Sequence, residues 1–142
     1  MNTFASNYTI VKISDLKEHE EINKEVLMQL KNKIISDQML KRAIAVDKNT
    51  NVVLDGHHRL NALKEFGYSK IPVSFVDYRL PEIQVQAWRI GEKITKSLVV
   101  NAALSGERLP PKTSRHMIFK DGVFEHISIL EKEVNVPLND LR

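Results

Sequence analysis

The feature that most constrains the fold of this chain is a short apolar run that ends in a glycine turn. Val52-Val53-Leu54 is rich in β-branched residues, which favour strands, and Asp55-Gly56-His57-His58-Arg59 follows directly. Residues 60–67 then place apolar side chains at helical spacing and end at Gly67, which suits a left-handed helix cap. The pattern predicts a strand that ends at the N-terminus of a helix.

A helix N-terminus at this position favours an anion. The backbone N–H groups of a first helical turn are unpaired, and the helix dipole adds partial positive charge. Gly56 leaves room for close approach, while His57, His58 and Arg59 supply further donors, so phosphate is the favoured ligand. Asp55 is placed to hold Mg²⁺ or to orient an imidazole. The alternative is a tight strand-to-helix turn with solvated histidines.

Composition limits the classes of function. The 142 residues fit one domain, residues 1–142, and the absence of cysteine excludes disulfides, thiolate chemistry and zinc-ribbon sites. The net charge of +3 suits acidic metabolites such as nucleotides, but 21 basic residues interleaved with 18 acidic ones argue against DNA. With no secretion signal and no apolar run of membrane-spanning length, we expect a cytoplasmic protein that does not bind membranes.

Helix and strand patterns mix along the chain without strict alternation, which predicts an α+β fold with a small mixed sheet. The first helix, residues 23–37, carries one apolar stripe of Val26, Leu27, Leu30, Ile34 and Ile35. The second runs from the signature to Gly67, and the third covers residues 95–104. Strands are predicted at residues 8–13, 43–46, 52–54, 71–76 and 82–90, with a loop at 109–116 and a hairpin at 117–129.

Two polar segments outside the signature are candidates for chemistry. His19-Glu20-Glu21 precedes the first helix, where glutamates are favoured by the dipole, but a carboxylate facing a phosphate site also accepts the proton of an alcohol nucleophile. Residues 110–116 combine two prolines with donors suited to a carboxylate or phosphate, although an ordinary surface loop can have the same composition. Trp88, the single tryptophan, fits either the core or a site.

These motifs together resemble a known superfamily. Residues 53–60, followed by Ala62, Leu63 and Gly67, are similar to the signature of the ParB/sulfiredoxin superfamily. Within it they look most like the free L-serine kinases, which make O-phosphoserine from serine. Residues 16–20 resemble the family segment that carries the catalytic base, and residues 111–116 resemble its late substrate-binding motif.

The resemblance implies a role for each matching residue. Glu20, rather than Glu21, would be the catalytic base, because a histidine precedes it. ATP or ADP would be the phosphoryl donor with Mg²⁺, free L-serine the acceptor, and Asp55 a second catalytic residue and metal ligand. The nucleotide would be bound by Gly56, His57, His58 and Arg59. Serine or phosphoserine would be bound by Trp88, Thr113, Ser114, Arg115 and His116.

Departures from the superfamily define the alternatives. Sulfiredoxins need a cysteine in the signature, and this chain has none. ParB proteins have Glu-Arg-Arg where this chain has His57-His58-Arg59, which favours the kinase interpretation. The alternative is a ParB-like module that binds CTP, or serves DNA partition or regulation, without kinase activity. Archaeal serine kinases also carry a long segment between the tryptophan and the late motif, whereas here only residues 89–112 intervene.

Overall fold

A computed structural model describes residues 5–142 of the chain. Within this range it has three α-helices, namely α1 (Lys24–Asp37), α2 (His57–Glu65) and α3 (Lys96–Ser105). Its strands are β1 (Ala5–Lys12), β2 (Met39–Arg42), β3 (Ile44–Asp47), β4 (Val53–Asp55), β5 (Lys70–Val76), β6 (Ile83–Ala87), β7 (Ser114–Lys120), β8 (Val123–His126) and β9 (Glu133–Pro137). No helix in residues 5–142 is long and apolar enough to cross a membrane.

The central sheet has four strands in the order β1-β5-β3-β4. β3 pairs with β5 in parallel, with Ile44 opposite Val73, and with β4 antiparallel, while β1 pairs antiparallel with β5. All four residues of β3 are buried, as expected for the inner position of a covered sheet. This mixed sheet with flanking helices confirms the predicted α+β class.

Two smaller sheets complete the fold. β2 pairs with β9, and β6, β7 and β8 form an antiparallel meander in which Val85 faces His116 and Ala87 faces Ser114. β7 and β8 are joined through Asp121 and Gly122, both at positive φ (54° and 77°), which is the backbone of a type I′ hairpin turn. The predicted hairpin is therefore confirmed.

The main core lies between α1, α2 and the central sheet. Asn23 caps α1 by accepting hydrogen bonds from the backbone N–H groups of the first turn, so the predicted helix start is confirmed. Leu27 and Ile34 are buried, but Val26 and Ile35 are 39% and 44% exposed. The predicted apolar stripe is thus too wide, because these two residues lie about 100° away from the buried face.

Three strand predictions were wrong in detail. Residues 114–116, predicted as loop, form the start of β7, because they pair with β6 along its whole length. β2 and β9 were not predicted, since each is short and is stabilised by a partner almost a hundred residues away. The predicted strand 82–90 ends at Ala87, so Trp88 lies just beyond β6.

Gly56 makes the predicted strand–turn–helix connection sterically possible. It begins α2 at φ +104°, a conformation that side chains rarely adopt. A Cβ at this position would collide with the side chain of Ile44 and lie 2.7 Å from its Cβ atom. Glycine is therefore required twice, once by the backbone conformation and once by the close approach to β3.

We expect Gly56→Ala to lower the free energy of unfolding by about 2–4 kcal/mol, because strain at positive φ adds to a clash with buried Ile44. Gly122→Ala is the matched control, since Gly122 also has positive φ but nothing lies within 4 Å of its added Cβ. The control is expected to lose about 1 kcal/mol. Urea unfolding measures both, and equal losses would contradict the steric requirement.

Candidate functional site

One cavity of about 290 Å³ lies where the N-terminus of α2, the segment before α1 and the start of β7 meet. Every site residue predicted from the sequence lines this cavity except Thr113. The Thr113 hydroxyl turns away and donates to the carbonyl of Pro110 at 2.6 Å. The fold therefore brings the three predicted motifs to one place, although they are separated by up to about a hundred residues in the chain.

Glu20 is held in this cavity by the backbone of residues 112–114. Its Oε1 accepts hydrogen bonds from the N–H groups of Thr113 (3.2 Å) and Ser114 (2.9 Å), and its Oε2 accepts one from Lys112 (3.3 Å). Burial raises the pKa of Glu20 above its usual value, and these hydrogen bonds partly oppose the rise. The carboxyl group is thus oriented by the backbone and has the higher proton affinity that a general base requires.

Glu18 ties the Glu20 segment to the rest of the fold. Its side chain is buried, and Oε2 accepts from Lys64 on α2 and from Arg108, both at 3.0 Å. Backbone hydrogen bonds between residues 19–21 and Leu109 add a parallel bridge beside it. No sequence pattern singled out Glu18, because its two cationic partners lie far along the chain.

All five histidines of the chain line the cavity. Burial lowers the pKa of His19 to about 4 and that of His116 to about 3, and it holds the pKa of His57 well below the usual value. His58 is less buried, and its pKa is also lowered. His19, His57, His58 and His116 therefore present neutral imidazoles at neutral pH, each of which offers one donor and one acceptor.

Two of these histidines are fixed by neighbours that the sequence did not single out. The Nε2 atom of His58 accepts from the backbone N–H of Asn23 at 2.9 Å, which links α2 to the cap of α1. The Nε2 atom of His116 lies 2.8 Å from the hydroxyl of Tyr78, a buried residue whose pKa is raised by desolvation. Tyr78 thus supports the cavity wall from behind.

Arg59 does not have the free guanidinium that the sequence predicted for a bidentate phosphate clamp. It donates to Glu131 at 2.8 Å, to Asp55 at 3.3 Å and to the carbonyl of Ala43 at 2.9 Å. Glu131 is almost fully buried and was not predicted, since 72 residues separate it from Arg59. Because α2 has no side-chain cap, its first-turn N–H groups remain the donors for an anion.

Asp55 fits the role of a Mg²⁺ ligand that is shared with phosphate. It ends β4 beside the N-terminus of α2, and its side chain is 27% exposed. No group of three or more metal-ligating side chains forms in the described part of the chain. Mg²⁺ in phosphoryl-transfer sites is commonly held by one or two carboxylates and the substrate phosphates, so one carboxylate here suffices.

Trp88 and Arg115 form the opposite side of the cavity. The indole N–H of Trp88 donates to the carbonyl of Ser114 at 2.9 Å, and the Arg115 guanidinium stacks 4.8 Å from the Trp88 ring. Trp88 is 47% exposed, so the core alternative is wrong. Arg115 also donates to Gln86, while its buried Nε has no hydrogen-bond partner among the described residues.

Comparisons with known proteins agree with this architecture. No family model matches the chain. It is 34% identical over 85 residues to a ParB-like protein from Sulfolobus acidocaldarius and 31% identical over 86 residues to an ATP-dependent L-serine kinase from Desulfurococcus mucosus. Each alignment includes 58% of this chain, but only 42% and 34% of the respective relatives. The chain thus matches well under half the length of these curated relatives.

The solved structures extend the likeness over nearly the whole chain. A mutant of free serine kinase in complex with ADP superposes with a TM-score of 0.80 at 13% identity, covering 96% of this chain and 95% of that one. The chain shares this fold. The two sequence relatives confirm the predicted resemblance to ParB-like proteins and L-serine kinases.

The buried histidines predict a pH-dependent stability. Below pH 6.5, His116 binds a proton in the unfolded chain but not in the folded protein, where its pKa is about 3. The free energy of unfolding that His116 contributes is therefore lost as the pH falls. Glu131, whose pKa is raised by burial to about 8, acts in the opposite direction, so a variant is needed to isolate the histidine.

We expect the wild type to lose about 1 kcal/mol more stability than His116→Gln between pH 7 and pH 5.5. Urea unfolding at the two pH values measures this difference for each protein. Equal losses in the two proteins would show that His116 titrates normally in the folded state.

Proposed function

We propose that this protein is a phosphotransferase that transfers the terminal phosphoryl group of ATP or ADP to the hydroxyl of free L-serine, giving O-phospho-L-serine. The observation that carries the proposal is that the Glu20 carboxyl group and the N-terminus of α2 line the same cavity. A proton acceptor facing a phosphate site is what transfer to an alcohol requires. The names of the similar sequences and structures support the same reaction.

In this reaction Glu20 acts as the general base. Its carboxylate takes the proton of the serine hydroxyl as the oxygen attacks the terminal phosphorus. Three hydrogen bonds from residues 112–114 fix the direction of the carboxylate, and burial increases its affinity for the proton. Positioning and electrostatics supply most of the catalysis in phosphoryl transfer, so few reactive groups are needed.

The nucleotide phosphates bind at the N-terminus of α2. Its unpaired N–H groups and dipole favour the anion, and Gly56 keeps a side chain out of the approach. Asp55 holds Mg²⁺, which supplies neutralisation of phosphate charge when it is bound. Arg59 keeps Asp55 and the turn in place through the ion pairs described above.

Serine binds on the side of Arg115 and Trp88. The guanidinium of Arg115 provides a charge for the serine carboxylate, and the Trp88 ring fixes the guanidinium plane. Thr113 and Ser114 contribute by orienting Glu20 through their backbone N–H groups, and both hydroxyls also have partners within the protein. His116 lies in the wall behind them.

Incubation of the purified protein with serine, Mg²⁺ and ATP, ADP or CTP in turn tests the proposal. We expect O-phosphoserine with ATP or ADP and none without serine. Threonine and homoserine as acceptors define the substrate class. Absence of phosphorylated product with every nucleotide and acceptor would refute the proposed reaction.

We expect Glu20→Gln to lower kcat by about 10²–10⁴-fold, because the variant keeps the size of the side chain but lacks the general base. Glu21→Gln is the matched control. Glu21 is the exposed neighbour of Glu20 in the chain and does not line the cavity, so its replacement should leave kcat within about twofold. Equal effects of the two substitutions would remove Glu20 from its assigned role.

Arg115→Lys is expected to raise KM for serine by about 10–100-fold with a smaller change in kcat. Lysine keeps the charge but loses the planar donors and the stacking on Trp88. Arg79→Lys serves as a control, because Arg79 is largely exposed and lies outside the cavity. A loss of kcat with unchanged KM would assign Arg115 to the reacting phosphoryl group instead.

A ParB-like nucleotide-binding module is the second candidate, favoured by the 34% identity to a ParB-like protein. It predicts CTP binding, with hydrolysis that DNA stimulates and serine does not. The two functions are distinguished by one measurement, the effect of serine on release of the terminal phosphate. Stimulation by serine supports the kinase, and stimulation by DNA alone supports the module.

A further inference from the structure

Three side chains form a continuous hydrogen-bonded series that ends at the proposed base. His19 Nδ1 lies 2.9 Å from the carbonyl oxygen of Val53, and His19 Nε2 lies 2.9 Å from the hydroxyl oxygen of Ser114. The same hydroxyl oxygen lies 3.0 Å from Glu20 Oε1. His19 and Ser114 are both buried, whereas Glu20 is partly buried and lines the cavity.

The protons of this chain can be counted. A carbonyl oxygen only accepts, so His19 Nδ1 must carry a hydrogen. Burial lowers the pKa of His19 to about 4, and the ring is therefore neutral at pH 7, with Nε2 bare. The contact to Nε2 is therefore a hydrogen bond only when the Ser114 hydroxyl donates to His19. In that state the single hydroxyl proton is used, and none remains for Glu20.

The contact between Ser114 and Glu20 consequently has two solutions. When Glu20 is protonated, it donates to the Ser114 oxygen, and every donor and acceptor from Glu20 to Val53 is paired. When Glu20 is ionised, the hydroxyl turns toward the carboxylate, which leaves the buried Nε2 of His19 without a donor. A buried acceptor without a partner is unfavourable, so His19 favours the protonated form of Glu20.

We propose that the Ser114 hydroxyl is a two-position rotor, set by His19, that follows the protonation of Glu20. It donates to Glu20 while the base is ionised and to His19 once the base has taken a proton. Ser114 is thus a positioning residue that acts through Glu20, and not a ligand of the substrate hydroxyl. This inference rests on the proposed function only for its place in the reaction.

The proton balance of the step is simple. The O–H bond of the acceptor alcohol breaks, an O–H bond forms on Glu20, and the oxygen's electron pair forms the new bond to phosphorus. The Ser114 O–H bond only rotates and is not broken. The neutral product form of Glu20 is therefore stabilised at the moment at which the proton arrives, without any movement of heavy atoms.

The surrounding titratable groups do not supply an alternative proton. His57 and His116 pack against His19 with ring centroids 4.7 Å and 5.7 Å away, and burial lowers the pKa of both. Glu18 is paired with Lys64 and Arg108. The other titratable and charged groups that line this cavity are Asp55, His57, His58, Arg59, Lys112, Arg115, His116 and His126. Glu18 acts electrostatically on His19, and Arg108 acts on His57.

Nuclear magnetic resonance of the nucleotide-free protein tests the rotor without any use of activity. Long-range ¹H–¹⁵N spectra report the tautomer of His19, and ¹³C spectra report the Glu20 carboxyl group. We expect an Nδ1–H tautomer at pH 7. As Glu20 titrates, the His19 Nε2 resonance should shift with the same midpoint, while the ring stays neutral.

Three variants separate the rotor from a purely structural contact. Ser114→Ala should abolish the coupled shift, and Ser114→Thr should keep it because the hydroxyl remains. Glu20→Gln should also abolish the shift, because glutamine does not titrate. His19→Asn keeps a donor for the Val53 carbonyl but lacks the Nε2 acceptor. In that variant the Ser114 hydroxyl donates only to Glu20, so the midpoint of the Glu20 titration should fall by about one pH unit.

An Nε2–H tautomer of His19 would contradict the proposed rotor. So would an Nε2 resonance that does not shift as Glu20 titrates. A Glu20 midpoint that rises in His19→Asn would do the same, because it would mean that the histidine stabilised the ionised form. These outcomes are independent of catalysis. A protein with the coupled shift but no O-phosphoserine product would retain the rotor and lose the proposed function.

Discussion

The site depends on one partly buried carboxyl group, that of Glu20, and on the three backbone N–H groups of residues 112–114 that bind it. This interaction joins the segment before α1 to the start of β7 and closes the cavity opposite the N-terminus of α2. Buried carboxyl groups are tolerated only with such partners, so the hydrogen bonds that orient the group also allow it to be buried. The geometry of the base and the stability of the fold are therefore linked.

Charge in the cavity comes from the backbone and from few side chains. The histidine wall is neutral because burial opposes protonation, and Arg59 is already paired with Glu131 and Asp55. The dipole and the N–H groups of α2 supply a positive end that does not titrate. Arg115, held against Trp88, and Lys112 add localised positive charge to the cavity wall. Such a cavity suits an anion without a large net charge.

Local sequence signals predicted the elements whose stabilising contacts are local. The helix start at Asn23, the turn at Gly56 and the hairpin at Asp121–Gly122 were predicted from neighbouring residues and are present. β2 and β9 were missed because their pairing joins distant segments. In the site, Glu20 and the signature could be predicted, whereas Glu18, Tyr78 and Glu131 could not, since a single buried residue with a distant partner leaves no pattern in the sequence.

Local sequence patterns specify the strand–glycine–helix unit and the types of residue that the site contains, because periodicity, glycine and helix-start chemistry act over a few residues. The packing of the folded chain determines which of these side chains are free to act. It paired Arg59 internally, turned the Thr113 hydroxyl away and set the Ser114 hydroxyl between His19 and Glu20. Burial and hydrogen-bond competition are properties of packed neighbours, and they come from parts of the chain that no local pattern connects.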